Sequence, residues 1–121
     1  MDPFTAGDLA IEVEEPPDAV RLVWRGKSNA RNPTQVLAPL FENVRELART
    51  RSVPLELRFD TLEHFNSSTI AAIIQLIHEC RARGVKLVVV FDPKVKWQKL
   101  SFESLRMLAR PDGLLELRPL A

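Results

Sequence analysis

Leu55-Glu56-Leu57-Arg58-Phe59-Asp60 is followed, after four residues, by Phe65-Asn66-Ser67-Ser68-Thr69-Ile70, and Gly84-Val85-Lys86-Leu87-Val88-Val89-Val90-Phe91 closes the segment. In the first piece Leu55, Leu57 and Phe59 alternate with Glu56, Arg58 and Asp60, the two-residue period of a strand with one buried face. From Ser67 or Ser68 to about Arg83, Ile70, Ile73, Ile74 and Ile77 line one side of a helix. Gly84 then supplies the residue that most readily takes the left-handed conformation at a helix C-terminus. Val85 to Phe91 is apolar apart from Lys86, which suits a central strand covered on both faces. A strand, a helix and a strand joined this tightly make a parallel pair with a right-handed crossover.

Upstream, Ala10 to Glu14 and Ala19 to Arg25 both alternate, and Glu15-Pro16-Pro17-Asp18 between them reads as a turn. A connection so short joins antiparallel neighbours, so the sheet is expected to be mixed. After a polar loop from Gly26 to Asn32, Val36, Leu40, Val44 and Leu47 recur on a helical face that Phe41 and Ala48 widen. Asn32-Pro33 has the form of an N-cap and first helical residue, but Pro39 would then lie inside the helix, so its start is left open. Downstream, Asp92-Pro93 begins a helix carrying Val95, Leu100, Leu105 and Leu108 toward Arg110. Pro111-Asp112-Gly113 stops it, and Leu115 and Leu117 suggest a last short strand. The order β-β-α-β-α-β-α-β predicts an α/β fold, a mixed sheet with a leading hairpin and helices packed on it. Residues 10–121 make the domain. Residues 1–9 read as an N-terminal tail, because Met1-Asp2-Pro3-Phe4-Thr5 is unpatterned and looks like a vector remnant.

Composition narrows the function. Seventeen Lys and Arg balance sixteen Asp and Glu, so no global charge favours nucleic acid or an anionic membrane. The longest apolar run, Leu87 to Phe91, is far too short to span a bilayer, and no basic-then-apolar leader opens the chain. Cys80 is the one cysteine, which excludes an intrachain disulfide and suits a reducing, cytoplasmic setting. With neither ligand clusters nor a glycine-rich phosphate loop, no metal, nucleotide or organic cofactor is expected. His78 and Cys80 lie two apart on a helix and point away from each other. Asp60, His64 and Ser67 contain the residue types of a hydrolase triad, but no G-x-S-x-G elbow surrounds either serine, and a hydrolase is the outlying alternative. Lys94, Lys96, Lys99, Arg106 and Arg110 form either a solvated helix face or a patch for an acidic partner. Trp97 is read as a core anchor, a reading that exposure beside Ser67 would reverse.

The pieces quoted at the outset resemble the STAS family of anti-sigma factor antagonists, in which a strand leads into an Asp-Ser-Ser-Gly-like opening of an apolar helix and a Gly precedes the next hydrophobic strand. The leading hairpin and first helix also follow the family's order. The resemblance implies a bacterial regulatory domain rather than an enzyme, one that binds an anti-sigma factor or serine kinase-like protein and is released when the first serine of the motif is phosphorylated. That serine is Ser67, with Ser68 as the neighbouring candidate, and the implied partner surface is Asn66, Ser67, Ser68 and Thr69. A helix N-terminus tolerates a phosphate while the added charge of roughly −2 disrupts a docked surface. The structural alternative is that Ser67 and Ser68 cap the helix. Asn66 stands where phosphorylated members usually carry Asp, Thr69 stands where Gly is common, and the last predicted strand stands where the family usually closes with another helix, so that either Trp97 to Leu108 covers the sheet instead or the branch is divergent. A non-phosphorylated scaffold using the same surface is the second reading, and self-association is left open.

Overall fold

The computed structural model describes residues 2–121. Seven strands form one mixed sheet: β1 (Phe4–Ala6), β2 (Leu9–Glu14), β3 (Val20–Ser28), β4 (Leu55–Arg58), β5 (Leu62–Phe65), β6 (Leu87–Phe91) and β7 (Leu115–Pro119). Between them run α1 (Pro33–Arg51), α2 (Ser67–Ala82) and α3 (Lys96–Glu103), the last continuing into a 3-10 turn over Ser104–Leu108. The strand order is β1-β2-β3-β4-β6-β7. β1, β2 and β3 are antiparallel, as expected of strands joined by tight turns, and β3, β4, β6 and β7 are parallel across the helical crossovers.

Each crossover steps one place in the same direction, so right-handedness puts all three helices on one face. Trp24 on β3 lies 6.1 Å from Phe41 of α1, and Phe91 on β6 lies 5.6 Å from Phe102 of α3, which fixes that face as the core. In register with them, Leu22, Leu57 and Val89 form one row across the sheet, and Val20, Leu55, Leu87 and Leu115 another. All are buried.

The opposite face has no helix. Val23, Val88 and Val90 are nevertheless buried there, beneath a carpet of long charged side chains. Arg21 pairs with Glu14 at 3.3 Å and with Glu56, Arg25 with Glu12 at 3.2 Å, and Arg118 with Glu116 at 2.8 Å and Glu56 at 3.6 Å. β6 is thus covered on both faces as expected, by helices on one and by charged side chains on the other, whereas one expectation is corrected: Glu56, on the polar side of β4, is only 7% exposed.

Three further differences have local causes. Phe4–Ala6, read as part of a tail outside the fold, pairs antiparallel with Leu9–Ile11 as an edge strand. β5 falls where a loop was expected and pairs in parallel with the distal half of β3, past an irregularity between Gly26 and Lys27. Gly26 has φ +81°, and a Cβ there would come within 2.1 Å of the Asp8 carbonyl oxygen. α1 starts at Pro33 with Asn32 as its cap position and carries Pro39 within it. Its buried stripe is Pro33, Leu37, Leu40, Phe41, Val44 and Ala48, so Leu37 takes the place predicted for Val36.

Candidate functional site

α2 leaves the C-terminal end of the parallel strands, where open α/β sheets place their binding surfaces. Phe65, the last residue of β5, fixes its starting point: its ring lies 5.0 Å from Trp97, 5.4 Å from Phe102 and 6.4 Å from Phe59. Asn66 follows in extended geometry as the N-cap. Its Oδ1 accepts from the Thr69 backbone N–H at 2.9 Å and from the Thr69 hydroxyl at 2.7 Å. Its Nδ2 donates to the Ala30 carbonyl at 2.9 Å, and its backbone N–H donates to the Ser28 carbonyl at 3.0 Å. The helix start is therefore tied to the loop between β3 and α1.

The cap expected of Ser67 or Ser68 belongs to Asn66. Ser67 and Ser68 occupy the first two helical positions, both exposed, and neither hydroxyl has a hydrogen-bond partner among the described residues. Thr69, expected on the surface, is fully buried, its Oγ1 2.8 Å from Ser28 Oγ. The four predicted surface residues thus divide: Asn66 is half-buried, Ser67 and Ser68 face water, and Thr69 is internal. No acidic residue lies in the first turn of α2 to neutralise the positive end of the helix dipole.

Gln98 is the residue that the sequence hid. Fully buried, it donates from Nε2 to the carbonyls of Phe59 at 2.7 Å and Leu62 at 3.1 Å, and its Oε1 accepts from the Asp92 N–H at 2.8 Å. One side chain thereby fastens the ends of β4 and β6 and the start of β5. Nothing in a lysine-rich run signals such a role. Trp97, half-buried beside it, packs on Phe65 and Phe102 and has its ring 6.4 Å from His64, so it anchors the core with one side and borders the α2 N-terminus with the other.

The residue types of a triad are not joined. Asp60 is 3.5 Å from Arg58, His64 is exposed against Trp97, and the Ser67 hydroxyl engages neither. His78 is exposed while Cys80 is buried, and burial pushes its thiol up to about 12. Among the described residues, no group of three or more His, Cys, Asp or Glu side chains is placed to hold a metal ion, and no helix is long and apolar enough to cross a membrane.

No family model and no curated protein matches the sequence. Solved structures do match in shape. The unphosphorylated form of the anti-sigma factor antagonist SpoIIAA aligns with 66% of this chain and 71% of its own at 14% identity, with a TM-score of 0.48. An uncharacterized protein of the DUF3478 family from Shewanella loihica PV-4, described as having a SpoIIAA-like fold, aligns with 93% of this chain and 84% of its own at 16% identity, with a TM-score of 0.54. With its parallel core, its helices on one face and a serine pair opening the second helix, the chain has a STAS-like, SpoIIAA-like α/β fold.

Proposed function

We propose that this chain is a protein-binding regulatory domain of the anti-sigma factor antagonist kind, a partner switch whose docking surface centres on the N-terminus of α2. The observation that carries the reading is the division of labour there. Asn66 does the capping, which leaves Ser67 exposed and uncommitted. A serine kinase partner would transfer the γ-phosphoryl group of a nucleoside triphosphate to Ser67 Oγ: the O–P bond forms as the β–γ P–O bond breaks, the nucleoside diphosphate leaves, and the hydroxyl proton passes to a base of the kinase. The product would sit at an uncompensated helix N-terminus, where its charge is tolerated by the fold and opposed by a docked partner. Ser68 is the neighbouring acceptor. Asn66 in place of an acid favours a second reading, a scaffold that docks through the same surface without modification, because its amide is used as a tether to Ala30.

The test is co-purification from the native host with intact-mass measurement, followed by affinity and melting temperature of Ser67→Ala, Ser67→Asp and Ser68→Asp. Ser67→Ala should change stability by less than about 0.5 kcal/mol, as at exposed sites without a special role, and keep the complex. Ser67→Asp should fold at least as well, since the dipole contributes about 0.3–1 kcal/mol, yet bind weakly. Equal affinity of wild type and Ser67→Asp leaves the scaffold. Loss of binding in Ser68→Asp alone moves the switch by one residue.

A further inference from the structure

The outer surface of α3 differs from the rest of the molecule in how its charges are used. On the open sheet face, Arg21, Arg25, Arg58, Lys86 and Arg118 each have a carboxylate within ion-pair distance. Lys94, Lys96 and Lys99 are exposed, and none has such a carboxylate among the described residues. They flank an apolar centre. Lys96, Lys99 and Leu100 share the helical stripe opposite the buried Gln98 and Phe102. Leu100 is 66% exposed, and Met107, one turn past the helix, is 85% exposed. Trp97, half-buried, lies one helical turn from Leu100. Ile70 and Ile74, also half-buried, share a stripe of α2 with Arg81, whose Nη2 donates to the Leu108 carbonyl, so they face the α3 side.

We propose that this face docks an acidic protein segment carrying a large apolar side chain, with carboxylates on Lys94, Lys96 and Lys99 and the apolar group on Leu100 and Trp97. Charge complementarity selects the occupant: Lys96 and Lys99 lie along a helix about 12 Å long and Lys94 lies two residues ahead of it, and among the described residues only Lys99 of the three feels a nearby carboxylate, that of Glu103 one turn on. Nucleic acid offers no apolar side chain to Leu100, and an anionic lipid surface, which would offer acyl chains, meets only two exposed large hydrophobics among the described residues, Leu100 and Met107, so both are competing outcomes of the test. The inference rests on the reading of the α2 N-terminus as a docking surface, which Phe65 joins to Trp97. It extends that surface and names the chemistry of its partner.

A displayed library of random 12-residue peptides is the probe, selected on the full chain and, in parallel, on Lys94→Glu/Lys96→Glu/Lys99→Glu. Both should melt at about the same temperature, as all three sites are exposed. The expected result is a consensus rich in Asp and Glu around one Leu, Phe or Trp. Its members should bind the triple variant and Leu100→Ser at least about tenfold more weakly, and weaken with added salt. Amide shifts in the labelled protein should concentrate at residues 94–108. A consensus without acids, no enriched consensus, equal binding to the triple variant, shifts elsewhere, or stronger binding of anionic vesicles or single-stranded RNA than of the selected peptides would each overturn the proposal. The switch at Ser67 fails separately, by unchanged affinity of Ser67→Asp for the native partner while the acidic peptides still bind α3.

Discussion

Replacing Asn66 by Ala removes three hydrogen bonds at one point: those from the Thr69 N–H and hydroxyl, and that to the Ala30 carbonyl. Loss of a side-chain N-cap costs about 1 kcal/mol. The Thr69 hydroxyl keeps Ser28 Oγ at 2.8 Å, so its loss adds little. The Ala30 carbonyl loses its donor, but Ala30 is half-exposed and water replaces part of that bond, adding about 0.5–1 kcal/mol. The sum is about 2 kcal/mol, or a melting temperature lower by about 8 °C for a chain of this length. Asn66→Asp separates cap from tether. Aspartate caps as well as asparagine and suits the dipole, so a purely capping residue would accept it at no cost. Here it cannot donate to Ala30 and sets an anionic oxygen against that carbonyl, which should cost about 1 kcal/mol net at pH 7. Urea unfolding of the three proteins at pH 7, compared by midpoint at constant slope, is the assay. An Ala variant within 0.5 kcal/mol of wild type, or an Asp variant as stable as Asn, would refute this account of how the start of α2 is held.

Ile73→Ala should cost about 2–5 kcal/mol by thermal or urea unfolding, because Ile73 is fully buried, whereas Ile74→Ala should cost about half as much or less from its half-buried position. Gln98→Leu should destabilise by about 2–4 kcal/mol, since it strands the carbonyls of Phe59 and Leu62 and the N–H of Asp92 in an apolar setting, and it should speed amide exchange at Asp92. Cys80 should resist a disulfide reagent at pH 8 in the native protein and react at once in urea. Because its folded pKa is raised, the stability it contributes is full below the unfolded thiol pKa of about 8.5 and declines as pH rises toward 12, by up to about 1.4 kcal/mol per pH unit. Cys80→Ala should flatten that alkaline slope.

Alternation and helix spacing made most of the architecture readable: the parallel order of the sheet follows from Leu55–Phe59 and Val85–Phe91, and Gly84, at φ +70°, ends α2 where expected. Phase was harder. Ile70, Ile73, Ile74 and Ile77 mark a stripe rotated from the one that is buried, and packing keeps Ile73 and Ile77 and joins to them Thr69, Ala72, Leu76 and Cys80. β5 escaped notice because Glu63 and His64 separate its two buried ends and it is held by β3 rather than by its own pattern. Three consecutive residues, Asn66, Ser67 and Ser68, all suit an N-cap, and the choice among them is made by Ala30 and Ser28, more than thirty residues away in the chain. Glu56 looked like a solvent-facing alternate and is buried because Arg21 reaches over it from the adjacent β3 and Arg118 from β7, across β6.

The strand order has a consequence for how the molecule is made. Apart from β5, which caps the far half of β3, each strand pairs with the one synthesised just before it, and none must be threaded between two already in place. The antiparallel meander of β1–β3 closes small loops at low entropic cost, and each later parallel strand adds to an edge already formed, so the sheet can grow by accretion outward from the meander as each helix emerges from the ribosome. An interrupted chain would expose a growing parallel edge rather than a gap in its middle. The vulnerable moment in its synthesis is the interval after β6 appears and before β7 arrives with Pro119 to blunt that edge.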